Sequence, residues 1–157
     1  MKKRTFIIIM AVVLLFIWGH SLLPQSSSAA ESGWIMQIMQ AVLDFLHIPV
    51  KLTQHIVRKL AHFTEYSGAG LLLGLYFFPR VKDEEGVKQK IRKAAMPFAA
   101  GLFIGFMDET VQLFSGRGAL IVDVWIDFAG ICFGAAISGA ILMIVSKIKK
   151  KKNAQTL

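Results

Sequence analysis

The chain has 157 residues, of which 55% are hydrophobic, and a mean hydropathy of +0.57. This is too apolar for an ordinary soluble domain of that length, so we expect a single membrane domain over residues 1–157. The net charge of +8 does not indicate a nucleic-acid partner, because the basic residues cluster beside apolar runs and no zinc-finger or RNA-binding motif is present. The single cysteine excludes an internal disulfide.

Four apolar runs, at about 5–23, 58–78, 96–115 and 122–146, predict transmembrane helices. Each has the length of about 20 residues that an α-helix needs to cross roughly 30 Å of hydrocarbon. The runs lack the alternation of strands, and only helices and closed barrels satisfy their backbone groups in lipid. The expected fold class is therefore all-α, an integral membrane bundle of four transmembrane helices.

The first run also has features of a signal peptide, since "MKKR" precedes it and Ser28-x-Ala30 follows as a cleavage motif. It is, however, longer than the usual apolar core of about 7–15 residues, and it ends in polar "GHSLLPQ" well before that motif. We therefore expect this run to be retained as a transmembrane anchor.

The basic residues predict the orientation of the helices. Fourteen of the eighteen lysines and arginines lie before the first run, between the second and third runs, or in the basic tail 147–157. Such residues accumulate on the cytoplasmic side of membrane proteins. We therefore expect both termini to be cytoplasmic.

The outer segment between the first and second runs contains an amphipathic pattern at about 33–47. Ser32 is a candidate N-cap, Pro49 marks the far end, and "SSSAAES" at 26–32 reads as a flexible connector. This helix is expected to lie on the outer leaflet or to pack over the bundle. Whether it does more than pack stays open.

Polar residues from the last three runs converge at the outer end of the bundle. Arg58, His62 and Glu65 fall within about 60° of one another on a helical wheel. Asp108 and Gln112 share a face of the third run, and Glu109 lies beside them. The ligand-binding residues predicted from this convergence are Arg58, His62, Glu65, Tyr66, Asp108, Glu109, Gln112, Arg117, Asp123 and Asp127.

The acids in this set outnumber the cations close to them. Either some carboxylates are protonated, or the site binds a cation, a metal or a basic group of a substrate. Catalysis is left open, with proton transfer as the role considered for His62, Glu65, Asp108 and Glu109. His62 also suits a buried core position or a metal ligand. We expect no cofactor and assign no metal ligand.

Close helix packing is predicted by glycine pairs spaced four residues apart. These pairs are Gly70 and Gly74, Gly101 and Gly105, and Gly130 and Gly134. A tight turn at 115–118 carries Arg117, whose guanidinium suits either a phosphate or carboxylate ligand or an internal pair with Asp123 or Glu109.

The combined pattern resembles the VanZ-like family of small bacterial membrane proteins. "RKLAHFTEY" contains Arg58, Lys59, His62, Phe63 and Tyr66 of that family's first motif. The later motifs match Asp108, Glu109, Gln112, Gly116, Arg117, Asp123, Asp127 and Gly130. Asp127 stands where some members have asparagine, which adds an acid to the site.

The resemblance implies a multi-pass protein of the bacterial cytoplasmic membrane, associated in some members with low-level teicoplanin resistance. Its expected partners are membrane lipid and either a lipid-linked cell-wall precursor or a lipoglycopeptide. Homodimerisation is left open. Three functions remain in view: binding or modification of an amphiphile at the outer leaflet, a structural or regulatory role based on an internal salt-bridge network, and proton-coupled transport.

Overall fold

The computed structural model describes residues 1–22, 25–114 and 120–154, and the side chains of residues 25–32 are outside the description. The described residues form five α-helices and one 3₁₀ helix and contain no strand, so the predicted all-α class is confirmed. The elements are α1 Lys3–Ser21, α2 Gln25–Phe45, α3 Gln54–Phe77, the 3₁₀ helix Phe78–Asp83, α4 Val87–Phe114 and α5 Ile121–Ala154.

Three of the described helices, α1, α4 and α5, are long and apolar enough to cross a membrane. Many of their large apolar side chains are exposed, among them Leu15, Phe103 and Met143. The fourth predicted crossing, α3, does not belong to this group, because the polar residues between Arg58 and Tyr66 lower its hydropathy. Its 24 residues would still span about 36 Å.

The helices start and end at different residues from those predicted. α3 starts at Gln54 rather than at 58, because the Thr53 hydroxyl caps it by accepting a hydrogen bond of 3.3 Å from the Ile56 N–H. α4 starts at Val87 rather than at 96, and α5 continues into the basic tail as far as Ala154. Lysine and arginine are good helix formers, so charged helix ends extend beyond the apolar runs.

The predicted connector 26–32 is wrong, because these residues belong to α2. Ser32 accordingly lies inside the helix and is not its N-cap. Ala29, Ala30 and Glu31 have high helix propensity, which explains why the helix extends through a segment of small and polar residues. The far end is as predicted: α2 ends at Phe45, ahead of Pro49.

The glycine pairs pack α3, α4 and α5 tightly together, as predicted. All six glycines are buried. A Cβ on Gly134 would overlap the main-chain oxygen of Ser67, and one on Gly70 would overlap the main chain of Ile131. On α4, a Cβ on Gly101 would overlap the Ile131 side chain. The backbones of α3 and α5 therefore touch, and α4 packs against them with less intimate contact.

The helices run so that the basic ends lie together. The Arg80 guanidinium, just after α3, donates from Nη2 to the Met1 main-chain oxygen at 2.8 Å. Phe6 of α1 stacks on Tyr76 of α3, with ring centroids 3.8 Å apart. At the opposite end of the bundle, the Ser21 hydroxyl donates to Asp108 Oδ2 at 2.9 Å. One end of the bundle thus carries the basic segments, and the other carries the acidic motif residues.

The connection between the 3₁₀ helix and α4 is held by a partly exposed ion pair. Lys93 Nζ lies 2.8 Å from Glu84 Oε1. The hydrogen bond and charge of Lys93 hold the pKa of Glu84 below its usual value. Because this pair lies at the basic end, it takes no part in the candidate site.

Candidate functional site

His62, Asp108 and Asp127 form the centre of the site, and each comes from a different helix, α3, α4 and α5. His62 Nδ1 lies 3.5 Å from Asp127 Oδ1 and 3.9 Å from Asp108 Oδ2. Both carboxylates are 0% exposed, whereas the His62 side chain is 22% exposed. One donor atom from each of the three side chains lies within 4.8 Å of the others. This spacing suits either proton exchange or a shared cation.

Several polar atoms at this centre have no hydrogen-bond partner among the described residues. Both oxygens of Asp127 belong to this group, as do Asp108 Oδ1, His62 Nδ1 and the Tyr66 hydroxyl. Tyr66 is 0% exposed, and its ring lies nearly parallel to that of His62. Buried polar groups are nearly always hydrogen-bonded, so this concentration of unsatisfied atoms marks a place where the protein gives up stability.

The remaining acceptors around Asp108 and Glu109 are satisfied. Gln112 Nε2 donates to Asp108 Oδ2 at 3.0 Å and to Glu109 Oε1 at 3.2 Å. The Leu120 N–H donates to Glu109 Oε2 at 3.2 Å, which ties the start of α5 to the end of α4. Asp108 Oδ2 also accepts from Ser21, as described above. These bonds fix the orientation of both carboxylates, so that Asp108 Oδ1 is left for another partner.

Two ion pairs surround the centre and use other acids of the motif. Lys59 Nζ lies 2.9 Å from Asp123 Oδ1, which joins α3 to α5. His20 Nδ1 lies 3.0 Å from Glu65 Oε1, which joins α1 to α3. Asp108, Glu109 and Asp127 have no lysine or arginine partner among the described residues, which do not include Arg117.

A cavity of about 280 Å³ opens onto the centre. His62 and Asp127 line it, and so do Arg58 and Lys59. The full set of lining residues is His55, Arg58, Lys59, His62, Glu109, Gln112, Leu120, Asp123, Ile126 and Asp127. The cavity therefore presents cationic and anionic groups to one small space.

Most of the predicted site residues come together in this region. Arg58, His62 and Asp123 line the cavity, whereas Tyr66 and Asp108 are fully buried and are not among its lining residues. Glu65 instead pairs with His20, away from the cavity wall. Arg117 and the rest of the predicted turn at 115–118 lie outside the described residues.

Besides the apolar cavity residues Leu120 and Ile126, four described residues of this region were not predicted as site residues: His20, Ser21, His55 and Lys59. His20 and Ser21 end α1 and contact Glu65 and Asp108, and His55 lines the cavity. The sequence signal for the first two was the polar "GHS" at the close of an apolar run. Polar residues at that depth call for partners, and the acids of the neighbouring helices supply them.

The fold and site define a class: an all-helical membrane protein with a polar site at one end of its bundle. The family model VanZ/LLP1 matches residues 6–144. The chain therefore belongs to the VanZ-like family, as its motifs indicated, and the match includes every predicted site residue. Comparisons with curated protein sequences and with solved structures gave no match.

Proposed function

We propose that this VanZ-like protein binds or modifies an amphiphilic envelope ligand at the outer leaflet of the bacterial cytoplasmic membrane. The ligand would be a lipid-linked cell-wall precursor or a lipoglycopeptide, and the activity would contribute to resistance against teicoplanin-type antibiotics. Asp108, Glu109, Glu65 and His62 are the candidates for moving a proton if the ligand is modified.

The topology that we propose has four crossings, with both termini in the cytoplasm. It is supported by the shared position of the basic segments at one end of the bundle. α3 would be the fourth crossing, because its polar half packs between α1, α4 and α5 and is not exposed to lipid along its whole length. The cavity would then open toward the outer headgroup region.

The observation that carries the ligand proposal is the state of Arg58. Its side chain lines the cavity, yet it makes no ion pair with any described residue despite the acids nearby. A guanidinium prefers bidentate phosphate or carboxylate ligands. The volume of about 280 Å³ suits a headgroup better than a whole lipid. We infer that Arg58 holds the anionic headgroup while its apolar chain stays in the membrane.

α2 would assist by lying at the membrane surface. Its apolar side chains Trp34, Ile38, Val42 and Phe45 are exposed and do not pack over the bundle. Exposed apolar residues on one face of a helix are typical of helices that rest in the interfacial layer. Among the described elements, α3 is the one with which α2 has extensive contact, so α2 would stay close to the cavity.

The decisive experiment is mass spectrometry of lipids that co-purify with the protein. Arg58→Gln should reduce the recovery of a specific anionic amphiphile at least about tenfold, which is the loss expected for a charge-assisted contact of about 1.5–3 kcal/mol. Arg92→Gln, at the basic end, is the matched control and should retain the ligand. Equal lipid profiles for wild type and Arg58→Gln would contradict the proposal.

The resistance part is tested separately. Expression of the wild-type chain in a susceptible bacterium should raise the inhibitory concentration of teicoplanin, and Arg58→Gln should abolish the increase at equal protein level. An unchanged inhibitory concentration with wild type would remove antibiotic resistance from the proposal, while ligand binding would still be judged by the lipid profiles.

A structural or regulatory role is the second candidate, and the two ion pairs that join helices favour it. It predicts that Lys59→Asp combined with Asp123→Lys restores whatever phenotype the single variants lose. Failure of this exchange in well-folded protein would count against a purely structural network. Proton transport is favoured less, because the buried acids lie at one end of the bundle and no ionisable path to the other end runs through the described residues.

A further inference from the structure

We propose that His62, Asp108 and Asp127 bind one divalent transition-metal ion, such as Zn²⁺ or Mn²⁺. The sequence left a metal open as one of several occupants of the acids and assigned no residue to it as a ligand. The role of this ion in holding a ligand rests on the proposed function. Binding of the ion itself can be measured without any amphiphile.

The spacing of the donor atoms fits a shared ion. Two atoms that each bind a metal at about 2.1 Å lie roughly 3.0–4.2 Å apart, depending on the angle between them. His62 Nδ1 is 3.5 Å from Asp127 Oδ1 and 3.9 Å from the Asp108 carboxylate, measured to Oδ2, the oxygen that Ser21 and Gln112 already donate to. One ligand atom from each of the three side chains lies within 4.8 Å of the other two. Side-chain rotations that move these atoms by less than about 1 Å would bring all three within bonding distance of one ion.

The unsatisfied atoms point independently to a ligand. Asp127 is 0% exposed, and neither of its oxygens has a hydrogen-bond partner among the described residues. Asp108, equally buried, leaves Oδ1 unpartnered. Leaving a buried charge unpaired is costly, whereas a bound cation would satisfy both carboxylates together. His62 Nδ1, also unpartnered, faces the same two carboxylates.

The surroundings supply the other features of a metal site. Gln112 and Ser21 hold Asp108 through Oδ2, and such outer contacts orient ligating carboxylates. The cavity reaches His62 and Asp127, which gives an ion an entry path and room for water. One imidazole with two carboxylates is a mixed N and O set, which suits Zn²⁺ and Mn²⁺ better than Ca²⁺.

A bound ion would also explain the mixture of charges in the cavity. It would present a positive centre beside Arg58, so an anionic headgroup could be held by both. The acids would thus bind the metal cation. The metal cation and the Arg58 guanidinium would together bind the anionic headgroup. Water or a ligand oxygen would occupy the remaining coordination positions.

The test is metal binding by the full chain, purified in detergent and freed of metal with a chelator. After Zn²⁺ or Mn²⁺ is added back and free metal is removed, wild type should retain about one ion per chain, measured by elemental mass spectrometry, with Mn²⁺ affinity measured by electron paramagnetic resonance. Asp127→Asn and His62→Gln should weaken binding at least about tenfold, since even contacts outside the ligand set change metal affinity by about 10–100-fold. Asp83→Asn removes an exposed carboxylate at the basic end of the bundle and should stay within about threefold of wild type.

Absence of a retained ion in wild type, or equal affinity in wild type and Asp127→Asn, would overturn the metal site. If His62→Gln fails to fold, the nearly isosteric Asp127→Asn decides the matter. Zn²⁺ should also raise the thermal midpoint of wild type and leave that of Asp127→Asn unchanged. If the ion binds but Arg58→Gln keeps its lipid, the proposed function fails and the metal site stands. If no ion binds but Arg58→Gln loses its lipid, the metal site fails and the proposed function stands.

Discussion

Asp127 is the residue in which stability and activity most directly oppose each other. A carboxylate that is fully buried and unpartnered destabilises the fold, and an asparagine of the same shape would do so less. Protein sites commonly keep such residues because the ligand, when bound, satisfies them. The loss of stability that Asp127 causes in the ligand-free protein therefore points to a role in ligand binding.

This leads to a prediction for the metal-free protein. Asp127→Asn should unfold at a temperature equal to or above that of wild type in the presence of a chelator, with a gain of about 1–3 kcal/mol in the free energy of unfolding. The reason is that an amide tolerates burial better than an unpaired carboxylate does. Thermal unfolding in detergent measures it. A clear loss of stability would mean that the carboxylate has structural partners in the metal-free state.

Among the elements, α3 and α5 form the most intimate pair, because glycines remove the side chains that would separate them. Gly134 meets the Ser67 carbonyl, and Gly130 meets the Phe63 carbonyl and the Tyr66 side chain. This contact sets the distance between His62 on α3 and Asp127 on α5. The geometry of the site thus depends on residues that carry no chemistry of their own.

Adding a single methyl group tests this dependence. Gly134→Ala should lower the free energy of unfolding by about 1–3 kcal/mol, because the new Cβ overlaps main-chain atoms of α3. Gly139→Ala, on the same helix, is the control. Its Cβ would make only an ordinary contact of 4.0 Å with Phe78, so stability should be kept or improved. Equal effects of the two changes would contradict the proposed contact.

The sequence predicted these packed elements better than it predicted their ends. Glycine spacing and the apolar runs are local patterns, so close helix packing and the all-α class followed directly, whereas the choice of α5 as the partner of α3 did not. The charged start of α4 and the charged end of α5 were missed. Hydropathy identifies the residues that contact lipid, but it does not measure helix propensity. The pairing of His20 with Glu65 could not be foreseen from the sequence, since it depends on how α1 packs against α3.

At the scale of the whole molecule, α1 belongs to the site. Its last turn supplies Ser21 to Asp108 and His20 to Glu65. If the first run were a signal peptide and the chain were cleaved after Ala30, Asp108 would lose Ser21 and Glu65 would lose His20. We therefore expect the mature protein to retain α1. Intact mass spectrometry of the protein purified from the membrane checks this, and a mass that lacks residues 1–30 would refute it.

The orientation of the bundle gives a further prediction. The test uses a variant in which Cys132 is replaced by alanine. In protoplasts or spheroplasts of cells that express it, Lys51→Cys should react with a membrane-impermeant maleimide. Asn153→Cys should react only after the membrane is permeabilised. The expectation follows from the basic residues at the end of the bundle that carries Met1 and Arg80. The opposite labelling pattern would place the candidate site on the cytoplasmic side.

The way in which the helices are joined also determines which of them can move. α3 and α5 are in backbone contact through Gly70, Gly130 and Gly134, so neither can slide or rotate without a clash. α1 is joined to the site by hydrogen bonds between side chains, which exchange readily with water or with a ligand. No residue of α1 lines the cavity among the described residues, so a ligand that competes for Asp108 or Glu65 should release the last turn of α1 while the α3–α5 pair stays fixed. The α3–α5 pair is thus the rigid part of the site, and the last turn of α1 is its movable part.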